Sequence, residues 1–286
     1  MESPLAAIEP SISRFAQQHP GSQVWIAAKN LDSGAEYGRG ASEQVRTAST
    51  IKLPILCAVY QAVAAGKLRM EETVPLNADD KVAGSGVIRE LANGTRLSIR
   101  DLGHVMIVIS DNTATNLILD RISADYVNEC LEQWGFVATR SMRKILGDGK
   151  NLKPNPSGHS RQGLLAVNKR FGIGSSSPRE MGRLLEMLER GQIVSPAASK
   201  EIIATLKRQQ YKDGIGRRIE AQMPVASKSG SLDALRSDVG LVYSPKGRLA
   251  IAITVDGMPN VDYSPDNPGN ILIADLTALL LAGLTR

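Results

Sequence analysis

Strand-forming segments sit at the two ends of the chain and are nearly absent between them, which constrains the fold more than any other feature. Residues 23–31 (QVWIAAKNL) read as a strand, Asp32-Ser33-Gly34 as a turn, and residues 35–41 as the returning partner. Near the other end, residues 224–231, 238–243 and 248–256 read as three more strands, with Ser244-Pro245-Lys246-Gly247 turning between the last two. A strand is stable only when its neighbours pair with it, so five strands split between the termini predict one antiparallel sheet built by both ends. The expected class is α/β of the α+β type. Helices at residues 4–17 and 267–284 pack on the sheet, and an all-helical lobe is inserted between the ends. The lobes divide as residues 1–48 with 209–286, and 49–208.

The middle of the chain carries helix signals. Residues 50–65 begin with Pro54 in the first turn, where a missing N–H costs least, and stop at Gly66. Ser98-Ile99-Arg100-Asp101 resembles a capping box that starts a helix through Val108. Further helices are predicted over residues 112–122, 124–134, 178–190 and 195–208. Residues 143–177 differ, being rich in Gly, Pro, Ser, Asn and Lys and too long for an ordinary connection. They read as a functional loop, with a disordered excursion as the alternative.

Composition removes several function classes. The longest apolar run, ILIADLTALLLAGL, is interrupted by Asp275 and falls short of the roughly 20 residues of a membrane span. A net charge of +5 is spread along the chain and accompanied by 4% aromatic residues, too few for base stacking, so no nucleic-acid partner is expected. Cys57 and Cys130 lie among apolar neighbours and read as buried free thiols. His19, His104 and His159 stand in unrelated contexts, so neither a metal site nor another cofactor is expected. The first residues, MESPLAAIEP, lack a basic region followed by an apolar one and so show no signal peptide, although one could have been removed.

Three short motifs carry chemistry. Ser49-Thr50-Ile51-Lys52 is an S-x-x-K at the start of an apolar helix, where positions three apart share a face and Lys52 can reach the Ser49 hydroxyl. A serine hydroxyl needs a neighbouring base, and a desolvated lysine can serve as one. Ser141-Met142-Arg143-Lys144 matches the pattern too, but no apolar helix follows it. Ser110-Asp111-Asn112 is a polar turn between helices and by itself reads as an N-cap. Lys228-Ser229-Gly230 lies on a predicted strand, with Ser231 after it, and Gly230 permits close approach to the strand backbone. A Ser-His-Asp triad is the competing serine chemistry, and none of the histidines sits in a partner motif.

S-x-x-K, S-D-N and K-[ST]-G in this order form the signature of class A β-lactamases and penicillin-binding proteins. The chain resembles that superfamily over most of its length, supported by SDNTATNL and SPREMGRLLEML and by the order of predicted elements. The resemblance implies that Ser49 attacks a carbonyl and carries the acyl group, Lys52 helps deprotonate it, and Ser110 passes a proton to the leaving nitrogen. It implies that Asn112 holds a side-chain amide of the substrate. Lys228 and Ser229 anchor the substrate carboxylate, and the backbone N–H groups of Ser49 and Ser231 form an oxyanion hole. Arg236 adds a second cation for that carboxylate, or is a solvated surface arginine. A small-molecule β-lactam, peptide or ester is the implied partner, and a periplasmic or secreted location is implied as well.

One departure stands out. Class A β-lactamases resemble one another in carrying a glutamate, in the loop after S-D-N, that activates the deacylating water. If Thr139–Lys144 (TRSMRK) opens that loop, the glutamate position falls at Ile145; no glutamate occurs between Glu132 and Glu180, and Asp148 is the only acid inside the loop. The expectation is therefore a serine hydrolase acylated by β-lactams, with deacylation in doubt. The rivals are a D,D-peptidase or esterase like the penicillin-binding proteins, and a binding or sensing domain that traps its ligand without turnover.

Overall fold

The computed structural model describes residues 3–147 and 151–285. A 3-10 turn at Pro4–Ala7 leads into α1 (Ile8–Gln18), then β1 (Gln23–Asn30), β2 (Glu36–Arg39) and the two-residue β3 (Val45–Arg46). A second 3-10 turn, Ala48–Ile51, opens α2 (Lys52–Ala64). There follow β4 (Thr73–Pro75), β5 (Arg96–Ser98), α3 (Ile99–Val108), α4 (Asn112–Ile122), α5 (Ala124–Gln133), β6 (Arg140–Ser141), α6 (Arg161–Leu164) and β7 (Gly174–Ser176). Helices α7 (Pro178–Glu189) and α8 (Pro196–Leu206) lead to β8 (Val225–Leu232), β9 (Leu235–Ser244), β10 (Gly247–Asp256) and α9 (Pro268–Leu284).

The sheet has the strand order β2-β1-β10-β9-β8 and is antiparallel throughout. β1 pairs with β10 along its whole length, from Gln23 opposite Asp256 to Asn30 opposite Leu249. The two ends of the chain thus meet in the middle of one sheet, as their strand signals predict. On one face, Val24, Ile26, Val242, Leu249, Ile251 and Ile253 pack against α1 and α9 through Ile12, Phe15, Leu272 and Leu276. The opposite face presents smaller side chains, Ala226, Ala250 and Ala252 with Val239 and Leu241, in the same apolar cluster as Leu184 and Leu185 of α7 and Leu53 and Leu56 of α2. Covered on both faces, the central strands lose the alternation of a half-exposed strand, and β9 and β10 are buried at nearly every position.

The helical expectations hold to within a few residues, and the Ser98 side chain caps α3 by accepting from Asp101 N–H. Two expectations change. The middle of the chain contains strands: β3, β7 and β6 form one small sheet, and β4 and β5 another. At two or three residues each, they are too short to show a hydrophobic period. The described part of the long polar stretch is folded, into α6, a 3-10 segment at Ala166–Phe171 and β7. Among the described residues no helix is long and apolar enough to cross a membrane, and no cluster of potential metal ligands occurs.

Candidate active site

The three motifs converge on one cavity of about 630 Å³, lined by Ser49, Ser110, Asn112, Ser229, Gly230, Ser231 and Arg236 among others. Ser49 lies in the 3-10 turn before α2, and Lys52 is the first residue of that helix, fully buried. Ala48, immediately before Ser49, has φ +46°, and Ser110 has φ +55°. Both sit in the left-handed region, at a cost on the order of 1–3 kcal/mol each, which surrounding contacts must offset.

For Ser110 those contacts are visible. Lys52 Nζ donates to Ser110 O at 2.7 Å, Asn112 Oδ1 at 2.9 Å and Ser110 Oγ at 3.2 Å. Lys228 Nζ, reaching from β8, donates to Ser110 Oγ at 3.0 Å and Ser229 O at 2.6 Å. Two accepted bonds occupy both lone pairs of the Ser110 hydroxyl, so its own proton is left to point elsewhere. Burial, and then repulsion from Lys228, pull the Lys52 ammonium well below the usual lysine range. Burial likewise pulls Lys228 down to about 7. The sequence spacing predicts a reach from Lys52 to Ser49, yet the three protons of the Lys52 ammonium are taken by Ser110 and Asn112.

Asp111 is more than the N-cap its sequence context suggests. One carboxylate oxygen accepts from Ala114 N–H at 2.8 Å, starting α4. The other accepts from Val87 N–H at 2.7 Å and Ile88 N–H at 2.9 Å, pinning the segment before β5 over the site. Gly86 is required there: its φ is +107°, and a Cβ would fall 2.1 Å from Asp111 Oδ2. That segment also receives the Asn112 side chain, whose Nδ2 donates to Ala83 O at 3.0 Å.

β8 is an edge strand and closes the other side of the cavity. It passes so close to the Ser49 turn that a Cβ on Gly230 would lie 2.8 Å from Thr47 O and 3.0 Å from Ser49 N. Ser231 lies opposite Arg236 in the β8–β9 register. Arg236 is 1% exposed, which overturns the alternative of a solvated surface arginine. Its guanidinium donates to Leu232 O, Leu235 O and Asp262 O while still lining the cavity.

The long loop supplies the remaining wall. Ile145 is 7% exposed and lines the cavity with Leu146, Leu152 and Ile173. Its backbone is clamped by one side chain: Asn116 Nδ2 donates to Ile145 O at 2.9 Å, and Ile145 N–H donates to Asn116 Oδ1 at 2.8 Å. Asp148 lies outside the described residues. Glu180 holds the approach to the loop, accepting from the N–H groups of Val137, Ala138 and Thr139 within 2.9 Å. Neither Asn116 nor Glu180 stands out in the sequence, although Asn116 follows Asn112 by one helical turn and so shares its face. The second S-x-x-K is dismantled: Ser141 is fully buried in β6, and Lys144 is paired with Asp120 at 2.6 Å.

A hydroxyl on a tight turn, a second hydroxyl in the same cavity bonded by two buried lysines and a strand edge opposite can support acyl transfer to serine. Comparisons with known proteins bear on the fold and the family. The model of the beta-lactamase enzyme family matches residues 7–284. A beta-lactamase of Rhodobacter capsulatus is 24% identical over 254 residues, covering 88% of this chain and 80% of its own length. Among solved structures, a beta-lactamase from Sphaerobacter thermophilus is 27% identical with a TM-score of 0.82, covering 98% of this chain and 96% of that one. PBP-A is 26% identical with a TM-score of 0.77, over the same shares. With its fold, its ordered motifs and a family match over almost its entire length, the chain belongs to the beta-lactamase enzyme family.

Proposed function

We propose that the protein is a serine hydrolase that β-lactams acylate at Ser49 and from which the acyl group leaves slowly. The observation that carries this reading is the Ser110 hydroxyl, which accepts from the two buried lysines Lys52 and Lys228 and lines the same cavity as Ser49. The site lies between the sheet lobe of residues 1–48 and 209–286 and the helical lobe of residues 49–208.

In this reading burial lowers the proton affinity of Lys52 so that it reacts as the neutral amine, whose lone pair takes the Ser49 proton as Oγ attacks the lactam carbonyl. The C–N bond then breaks, and Ser110 passes its free proton to the leaving nitrogen, to be reprotonated through Lys52. The N–H groups of Ser49 and Ser231 stabilise the oxyanion, while Lys228, Ser229 and Arg236 hold the substrate carboxylate. Asn112 holds the side-chain amide.

Deacylation needs a water that is both held and deprotonated. Ile145 offers an apolar side chain to the cavity where the family's resemblance calls for a glutamate. Losing a positioned base costs roughly 10²–10⁴ in rate.

Intact-protein mass spectrometry after mixing with penicillin tests the reading. A burst of one equivalent is expected, with a persistent adduct mapping to Ser49 and absent from Ser49→Ala. Parallel turnover of a chromogenic cephalosporin, a D-Ala-D-Ala peptide and a simple ester identifies the preferred substrate class. Rapid multiple turnover without adduct, or labelling at Ser141, overturns it.

A further inference from the structure

Three arginines line the cavity, and they are held very differently. Arg46 is ion-paired with Asp256, and Arg236 is bound to three backbone carbonyls. Arg143, half-buried on the loop wall, spends one N–H on Lys144 O at 2.9 Å and forms no ion pair among the described residues. A guanidinium has five N–H donors, so most of its capacity is unspent. Burial lowers its proton affinity, and among the described residues no acidic neighbour contributes in the other direction.

Apart from Arg143, the described loop residues that line the cavity are apolar or glycine. Ile145, Leu146, Leu152 and Ile173 line the same cavity, and the backbone of this segment is fixed by the Asn116 clamp. The carboxylate anchors proposed above, Lys228, Ser229 and Arg236, belong to β8 and β9 on a separate wall. A substrate anchored there and reacting at Ser49 extends its other end, the acyl substituent, toward the loop. An apolar surface carrying a guanidinium with no ion pair among the described residues suits a substituent that combines an aryl or alkyl group with a carboxylate.

We propose that Arg143 is a specificity-determining residue that binds a carboxylate on the acyl substituent of the substrate, so that acyl groups bearing a second carboxylate are preferred. The inference rests on the proposed acylation of Ser49.

The test is a matched pair, benzylpenicillin and its α-carboxy derivative, which differ by one carboxylate on the acyl side. The second-order acylation rate constants are measured for the native protein, Arg143→Gln and Arg143→Lys, with thermal melts to verify folding. The native protein is expected to favour the α-carboxy compound. Arg143→Gln should lower the ratio of the two rates by roughly tenfold, the scale of one charge-assisted hydrogen bond in a partly exposed site. Arg143→Lys, which keeps the charge but loses the fork, should retain an intermediate ratio. In the native protein, added salt should lower the ratio as well, a readout that requires no variant to fold. Equal ratios in the native protein and Arg143→Gln, or a native preference for benzylpenicillin, overturn the inference.

The same pair is also titrated calorimetrically against Ser49→Ala, with and without Arg143→Gln. If neither penicillin labels Ser49, the acylation reading has failed. A binding preference lost with Arg143→Gln then upholds the subsite, and an absent preference sinks it.

Discussion

Replacing Ile145 by glutamate probes the proposed slow step directly. Two hydrogen bonds from Asn116 fix the backbone at this position, so the introduced carboxylate starts from a defined place on the cavity wall. If it holds and deprotonates a water beside the acyl ester, deacylation should accelerate by roughly 10²–10⁴. That is about 3–5 kcal/mol off the barrier, at about 1.4 kcal/mol for each factor of ten. Fold stability moves the other way: Ile145 is 7% exposed, and giving up its apolar burial costs about 1–3 kcal/mol. Partial desolvation should also raise the new carboxyl's pKa, so the gain in rate should grow as pH rises through that value. The assay follows decay of the penicillin adduct by mass spectrometry, with Ile145→Gln as a control of the same shape and no basicity. Adding Asn116→Ala to the Ile145→Glu variant should erase much of the gain by releasing the clamp. Unchanged deacylation in a folded Ile145→Glu variant that still acylates normally would refute the reasoning.

Asp111→Ala removes a helix cap and two loop bonds together and should cost about 2–4 kcal/mol, read by urea denaturation. A loss below about 0.5 kcal/mol, the bottom of the range for a cap alone, would contradict the pin assigned to it. Gly230→Ala puts a Cβ 2.8 Å from Thr47 O and 3.0 Å from Ser49 N, so β8 must retreat from Ser49. Acylation should fall at least tenfold while the melting temperature changes little, and an unchanged acylation rate would count against the proposed oxyanion hole. Asp238 is buried and its carboxyl is pushed up to about 7, chiefly by burial. The unfolded chain loses this proton near pH 4 and the native state only near 7, so this group makes stability fall as pH rises between those values. Asp238→Asn should flatten that fall in denaturation midpoints measured across the window; an identical slope in both proteins would sink the assignment.

The layout of the molecule was legible in the chain because it rests on local rules. Strand signals at both ends, the Ser98 cap, the stop at Gly66 and the apolar C-terminal segment each depend on a few neighbouring residues, and each predicted element forms close to its expected bounds. The three motifs were legible for the same reason, being short and contiguous. What sequence could not resolve depends on partners far away along the chain. The two-residue strands exist only because β7 pairs with both β3 and β6. Lys52 turns to Ser110, 58 positions away, because a buried ammonium must satisfy every donor, and the acceptors arrive with another helix. Ser141 and Ser49 begin the same four-residue pattern, yet one is sealed in β6 while the other opens into the cavity. Arg236 reads equally as a contact to the substrate carboxylate or as a surface residue until its strand is laid against the segment that carries Asp262. Local chemistry selected the elements and the reactive residue types; burial and long-range pairing decided which of those residues share a site.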